Sequence, residues 1–329
     1  MRQKGVEIMI NREIIRLKVV QMTYAYYQND GKTPDEAEKE LAFSLEKTYE
    51  LYITLLQLLV ELKKVGDVKL DVVKSRADRL GTEAVVNERF ANSKFILQLS
   101  QNKELAEKCE ELGIDWSHEE KFIRSLYDKI TASEFYKKYM AHETTTYEED
   151  REFWRLLYRK FICGNVDLEQ ILEEKSLYWN DDKFTVDSFV MKTVKHIEEK
   201  EGADSKLLVM YESDDDRIFA TKLFRKALLN EEFLRGLISE NSSEGWDFSR
   251  LALMDVIIMQ VALAEIINFP DIPVDVTFNE YLEIAKLYST QRSPAYINGI
   301  LDAIVQKLKA EKKIKKTEPK KGKGASKKK

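Results

Sequence analysis

The chain has 329 residues, 43% of them hydrophobic and 34% charged, and a formal net charge of −5; that supports two or three packed domains and excludes a wholly disordered polymer. Its two cysteines, Cys109 and Cys163, are too far apart for a CxxC motif, a zinc cluster or a disulfide framework, so a reducing cytoplasm fits. The first residues carry Arg2, Lys4, Glu7, Arg12 and Glu13 before any sustained apolar run, unlike a signal peptide, and no stretch approaches the roughly 20 uncharged apolar residues of a membrane span.

The charge is unevenly divided. From Lys307 onward twelve lysines stand against Glu311 and Glu318, a local +10, which leaves −15 on residues 1–306. An acidic body is a poor general binder of nucleic acid, so any such site must be a local basic feature.

In chain order, apolar residues at helical spacing predict helices at about 10–28, 34–64, 91–112, 117–139, 147–163, 183–201, 214–229, 248–267, 273–288 and 294–316. On the first, Ile10, Ile14, Leu17 and Val20 can face inward while Arg12 and Arg16 lie one turn apart on a shared face. The second carries Leu41, Leu45, Tyr49, Ile53, Leu56 and Val60 at the same spacing, and the stretch between Pro34 and Pro270 lacks proline, so long helices are permitted. Gly66, Gly81, Gly113, Gly164, Gly202 and Gly245 read as helix stops. Period-2 alternation is nearly absent, so the expected class is all-α.

Two segments read as copies at an offset of 66. Glu149-Asp150-Arg151-Glu152-Phe153 with Leu157, Leu168, Ile171 and Trp179 can be laid on Asp215-Asp216-Arg217-Ile218-Phe219 with Leu223, Leu234, Leu237 and Trp246, given a one-residue gap before the tryptophan. Chance likeness between charged amphipathic helices is an equal alternative. The tail from Thr317, with Pro319, Gly322, Gly324 and Ser326 among lysines, reads as a mobile basic arm.

Catalytic chemistry is not indicated. His118, His142 and His196 fall in separate segments, none at metal-ligand spacing. Gly322-Lys323-Gly324 lacks the spacing and the strand-to-helix setting of a phosphate loop. Asp214-Asp215-Asp216 suits a helix N-terminus better than a cation site. No cofactor and no metal are expected.

From Trp246 to Asp302 the chain is more specific. Trp246-Asp247-Phe248-Ser249-Arg250-Leu251-Ala252 leads into the apolar run 256–267, which breaks at Pro270 and Pro273. Then come Val276-Thr277-Phe278-Asn279-Glu280, Glu283, Ala285 and Lys286, and finally Tyr296-Ile297-Asn298-Gly299-Ile300-Leu301-Asp302. Ile297, Ile300, Leu301, Ile304 and Leu308 keep helical spacing across Asn298-Gly299, so Gly299 reads as a close helix–helix contact rather than a hairpin turn. These pieces in this order resemble the NusB family. Arg12, Arg16, Gln21, Tyr24, Ala25 and Tyr26 resemble its first helix, and Asp216, Phe219 and Leu223 its Asp-x-x-aromatic helix.

The resemblance implies an all-α NusB-like bundle enlarged by an additional helical region: 1–30 as the first helix, 31–210 as an insertion, 211–306 as the core helices and 307–329 as the basic tail. It implies a cytoplasmic transcription antitermination factor, not an enzyme and not tied to a membrane. Such a factor binds boxA-like single-stranded RNA together with the ribosomal protein NusE and acts on the RNA polymerase antitermination complex. The RNA-binding residues expected on this basis are Arg12 and Arg16 with Arg292, Ser293, Tyr296 and Asn298; Tyr296 reads equally as core. The chain departs from the family in its length, in Ile14 and Ile15 near the family's basic turn, in Thr23 where an apolar residue is usual, and in Arg292 where an acid is often found. Two rivals stand beside this reading. A ribosomal-RNA methyltransferase with a NusB-like accessory domain fails because only 27 residues follow Asp302 and no nucleotide-binding motif occurs. A helical protein-interaction scaffold is favoured by the acidic body.

Overall fold

The computed structural model describes residues 8–29, 31–81, 87–142, 144–242 and 252–314. Among these, the chain is helical throughout, with no strand beyond one isolated parallel bridge between Ile8 and Val209. The helices are α1 (Arg12–Gln28), α2 (Pro34–Leu80), α3 (Arg89–Asn92), α4 (Lys94–Ser100), α5 (Lys103–Leu112), α6 (Glu120–Ala132), α7 (Glu134–Met140), α8 (Tyr147–Leu157), α9 (Val166–Lys175) and α10 (Lys183–His196). They continue as α11 (Asp214–Leu229), α12 (Glu231–Asn241), α13 (Leu253–Asn268), α14 (Val274–Tyr288) and α15 (Ser293–Ala310). None of the described helices is long and apolar enough to cross a membrane.

The helices group into two compact units, one built on Glu46–Met210 and the other on Ile10–Leu45 with the described residues from Tyr211 onward. In the first unit α2 is apolar around most of its circumference, with Leu51, Tyr52, Ile53, Leu55, Leu56, Leu58, Leu59 and Leu62 all buried, as a central helix must be. Its length corrects one expectation. Gly66 does not stop the helix; a Cβ there would lie 3.1 Å from Phe90 Cδ1, so the missing side chain admits a close neighbour. Phe90 in turn packs on Tyr127, Tyr136, Phe153 and Trp154.

Other expected helices divide where polar side chains cap the backbone. Asn102 accepts from Leu105 N at 2.8 Å and opens α5, and Ser133 accepts from Tyr136 N at 3.2 Å and opens α7. After α8 the chain tightens no further but widens into one π turn, 158–162, before Gly164.

In the second unit α13 is central, packed on α1, α11, α12, α14 and α15. Every residue from Asp255 to Ile266 is buried, and each fully buried Ile, Leu or Val side chain contributes about 1.5–3 kcal/mol. Pro270 and Pro273 end this run as expected, and Pro294 opens α15.

The suspected duplication gains matched positions but not a complete test. Phe153 and Phe219, Leu157 and Leu223, Leu168 and Leu234 are all buried, as are Asp150 and Asp216. The connections differ: α8 passes through the π turn and a three-residue link, whereas α11 runs on to Leu229. Trp179 is buried and donates from Nε1 to Lys47 O at 2.8 Å; Trp246 lies outside the described residues, as do Gly245 and the tail from residue 315.

Candidate nucleic-acid interface

The first half of the expected site begins at α1. Asn11 caps the helix by accepting from Ile14 N at 3.0 Å, which sets Arg12 in the first turn. Ile14, Ile15, Val19 and Val20 are buried and fix the rotation of the helix. Arg12 is left with a half-exposed side chain, 3.5 Å from Asp216 Oδ1 and 4.9 Å above the ring of Phe219 on α11.

Arg16 does not share that surface. Its side chain is 5% exposed and grips Glu265 of α13 with two parallel bonds, Nε to Oε2 at 2.7 Å and Nη2 to Oε1 at 3.1 Å. Glu265 has no exposed surface and also accepts from Thr277 Oγ1 at 2.7 Å and Tyr281 hydroxyl at 3.2 Å, both on α14. The expectation that Arg16 faces RNA is therefore corrected: one turn beyond Arg12 the helix has rotated its side chain into the core. Burial opposes the charge on Arg16, but the hydrogen bonds and field of Glu265 outweigh it and raise its pKa. The same burial, with the negative Glu265 beside it, pushes the Tyr281 hydroxyl well above its ordinary value. On the α14 side Glu280 stands 3.5 Å from Arg16, and burial raises its pKa despite that neighbour.

The other half is the turn into α15. Asp255, in the first turn of α13, accepts from Ser293 Oγ at 2.8 Å and from Ser289 Oγ, while Ser289 and Thr290 hydroxyls each lie 2.9 Å from Ser293 Oγ. Ser293 is thus a buried member of a knot that fixes the turn, and Arg292 is exposed beside it with no ion-pair partner among the described residues. Tyr296 is half-buried and Asn298 exposed. Gly299 corrects a further expectation: it is exposed, and a Cβ there would meet nothing within 4 Å, so it is no helix contact.

The two halves are tied to opposite ends of α13. Glu265 and Asp255 are ten residues apart, about 15 Å at the rise of an α-helix, so Arg12 and Arg292 do not form one cluster. From α1, Gln21 reaches toward the turn instead, donating to the Tyr288 hydroxyl at 2.8 Å, immediately before Ser289. Tyr24, one turn on, has 36% of its surface exposed. Both belong to the Gln-x-x-Tyr pattern noted in the sequence but not assigned to the site. Glu265 was legible too: it is the one carboxylate in the apolar run 256–267, and such a group demands a buried partner. The thiols of the other unit offer no nucleophile near neutral pH, since burial pushes Cys109 up to about 11 and Cys163 up to about 12.

Comparison with known proteins follows this geometry. Residues 188–306 match the NusB family. The chain is 43% identical over 90 residues to the transcription antitermination protein NusB of Geotalea daltonii, covering 27% of this chain and 61% of that protein. It is 37% identical over 134 residues to the protein of that name from Salinibacter ruber, covering 39% and 83%, and 37% identical over 124 residues to that from Koribacter versatilis, covering 38% and 82%. No solved structure matches.

Proposed function

We propose that this chain, which belongs to the NusB family, acts in the cytoplasm as a transcription antitermination factor that binds a boxA-like single-stranded RNA together with NusE. The observation that carries the reading is the match over 82–83% of the length of two relatives named as antitermination proteins. The task is binding without bond chemistry: cations meet phosphates, an exposed aromatic ring stacks on a base, and an amide reads a base edge. Arg12 and Arg292 are the exposed cations at the two ends of the proposed track, with Gln21, Tyr24 and Asn298 between or beside them. Arg16 and Ser293 act as positioning residues, the first holding α1 on α13 and the second holding the turn that presents Arg292. Residues 46–187, outside the span that matches the family, supply most of the additional helical unit.

Titration of fluorescent boxA-like RNA and a scrambled control, with and without NusE, tests the reading. The expected result is a preference for boxA that NusE strengthens. Equal affinity for the two RNAs in the presence of NusE, at more than one salt concentration, overturns it in favour of a protein-interaction scaffold.

A further inference from the structure

We infer that the outward face of α11 is a phosphate-binding groove that carries the RNA strand onward from Arg12, an inference that rests on the RNA-binding reading above. Residues 217–230 contain Arg217, Lys222, Arg225 and Lys226 and no carboxylate, inside a body whose first 306 residues carry −15. Successive spacings of five, three and one residues spread the four over about half of the helix circumference. There they line an open groove of about 570 Å³ with Ile218, Thr221 and Leu229.

The cations are available. Arg217 and Lys226 have no ion-pair partner among the described residues, and Lys222 rests over the ring of Phe269 at 5.0 Å. Arg225 is held by Asp35 at 2.5 Å and by Glu38, an exposed pairing that contributes little and can be exchanged for phosphate. The groove is also linked to Arg12 through a chain of ring contacts. Arg12 lies over Phe219, Phe219 packs edge-on against Phe269 with centroids 4.9 Å apart, and Phe269 carries Lys222. Glu280 of α14 stands 3.5 Å from Arg16, with Glu13 close enough to act on it, and both carboxylates repel a polyanion. A strand leaving Arg12 is therefore drawn toward α11 and away from α14.

The form of the groove selects a nucleic-acid strand over an acidic peptide helix. Its exposed apolar residues, Ile218 and Leu229, stand at its two ends, about 16 Å apart along the helix, with cations between. A docked amphipathic helix needs a continuous row of apolar anchors. A single strand needs cations at intervals and tolerates any sequence.

The test uses the full chain, tail included, with NusE present and two RNAs: boxA alone, and boxA extended by oligouridine at both ends. The wild-type chain binds the extended RNA more tightly. Lys222→Gln with Lys226→Gln removes most of that gain and lowers the salt slope on the extended RNA by about 1.4, the value for two lost phosphate contacts on a single strand. Affinity for boxA alone stays within twofold. Three outcomes overturn the groove while leaving the RNA reading intact: no gain from extension in the wild type, a gain that the double variant keeps, or displacement of the extension by polyglutamate as readily as by oligouridine. A wild-type chain that binds neither RNA sinks both. Lys222 is exposed and Lys226 half-buried, and unchanged circular dichroism excludes unfolding as the cause.

Discussion

Glu265 and Arg16 form a charged pair with almost no solvent access, and four donors from two helices, α1 and α14, converge on the one carboxylate. A pair of this kind adds little net stability, because desolvating two ions cancels most of their attraction, but removing one partner strands the other. Glu265→Ala is therefore expected to cost about 3–5 kcal/mol, since Arg16, Thr277 and Tyr281 all lose their acceptor. The double variant Arg16→Met with Glu265→Leu recovers much of that loss. Urea unfolding followed by circular dichroism checks both, and a single variant as stable as the wild type contradicts this account of the core. In the sequence the two arginines were equivalent, one turn apart. What separated them was the packing of α1 on both α13 and α14, which no spacing along α1 reveals.

At the scale of the element, most helices were legible, α9 and α12 fell outside the ten expected spans, and helix ends were not legible. Periodicity marks where a chain can be helical, but the division of 91–112 and 117–139 came from Asn102 and Ser133, whose side chains offer the backbone a competing partner. Two glycines inside helices show how context decides the rest. Gly66 was read as a stop and is a site of close approach to Phe90, while Gly299 was read as a close approach and faces open space. Their substitutions should part accordingly. Gly299→Ala stabilises by about 0.5–1 kcal/mol, the helix propensity of alanine with nothing to clash. Gly66→Val destabilises by about 1–3 kcal/mol, because Phe90 is boxed in by other rings and cannot give way. Thermal unfolding of the two variants reads the difference. Equal shifts in the same direction would show that propensity alone governs both positions. If Gly299→Ala gains stability yet weakens RNA binding, the glycine serves close approach of the strand beside Asn298.

For the whole molecule, composition foretold an acidic body with a concentrated basic end, and the structure adds cations on α1 and α11 that composition averages away. Under the proposed function, the basic tail and the folded cations are expected to act differently on RNA. Six lysines and one glutamate lie in residues 317–329, a segment rich in glycine, serine and lysine with little to bury; charges of that kind follow any phosphate backbone and add affinity indifferent to sequence. Arg12 is instead held beside Asp216 and over the ring of Phe219 on α11, so under that reading its guanidinium meets a strand in one geometry. Deleting 317–329 is expected to weaken binding to boxA and to a scrambled control by similar factors and to flatten the salt dependence of both. Arg12→Ala is expected to narrow the gap between the two RNAs by roughly 1–3 kcal/mol and to leave most of the salt dependence in place. Paired titrations at two salt concentrations, with NusE present, separate the two. If Arg12→Ala keeps the full preference for boxA while loss of the tail abolishes it, then the lysines read the sequence and the packed helices only carry them.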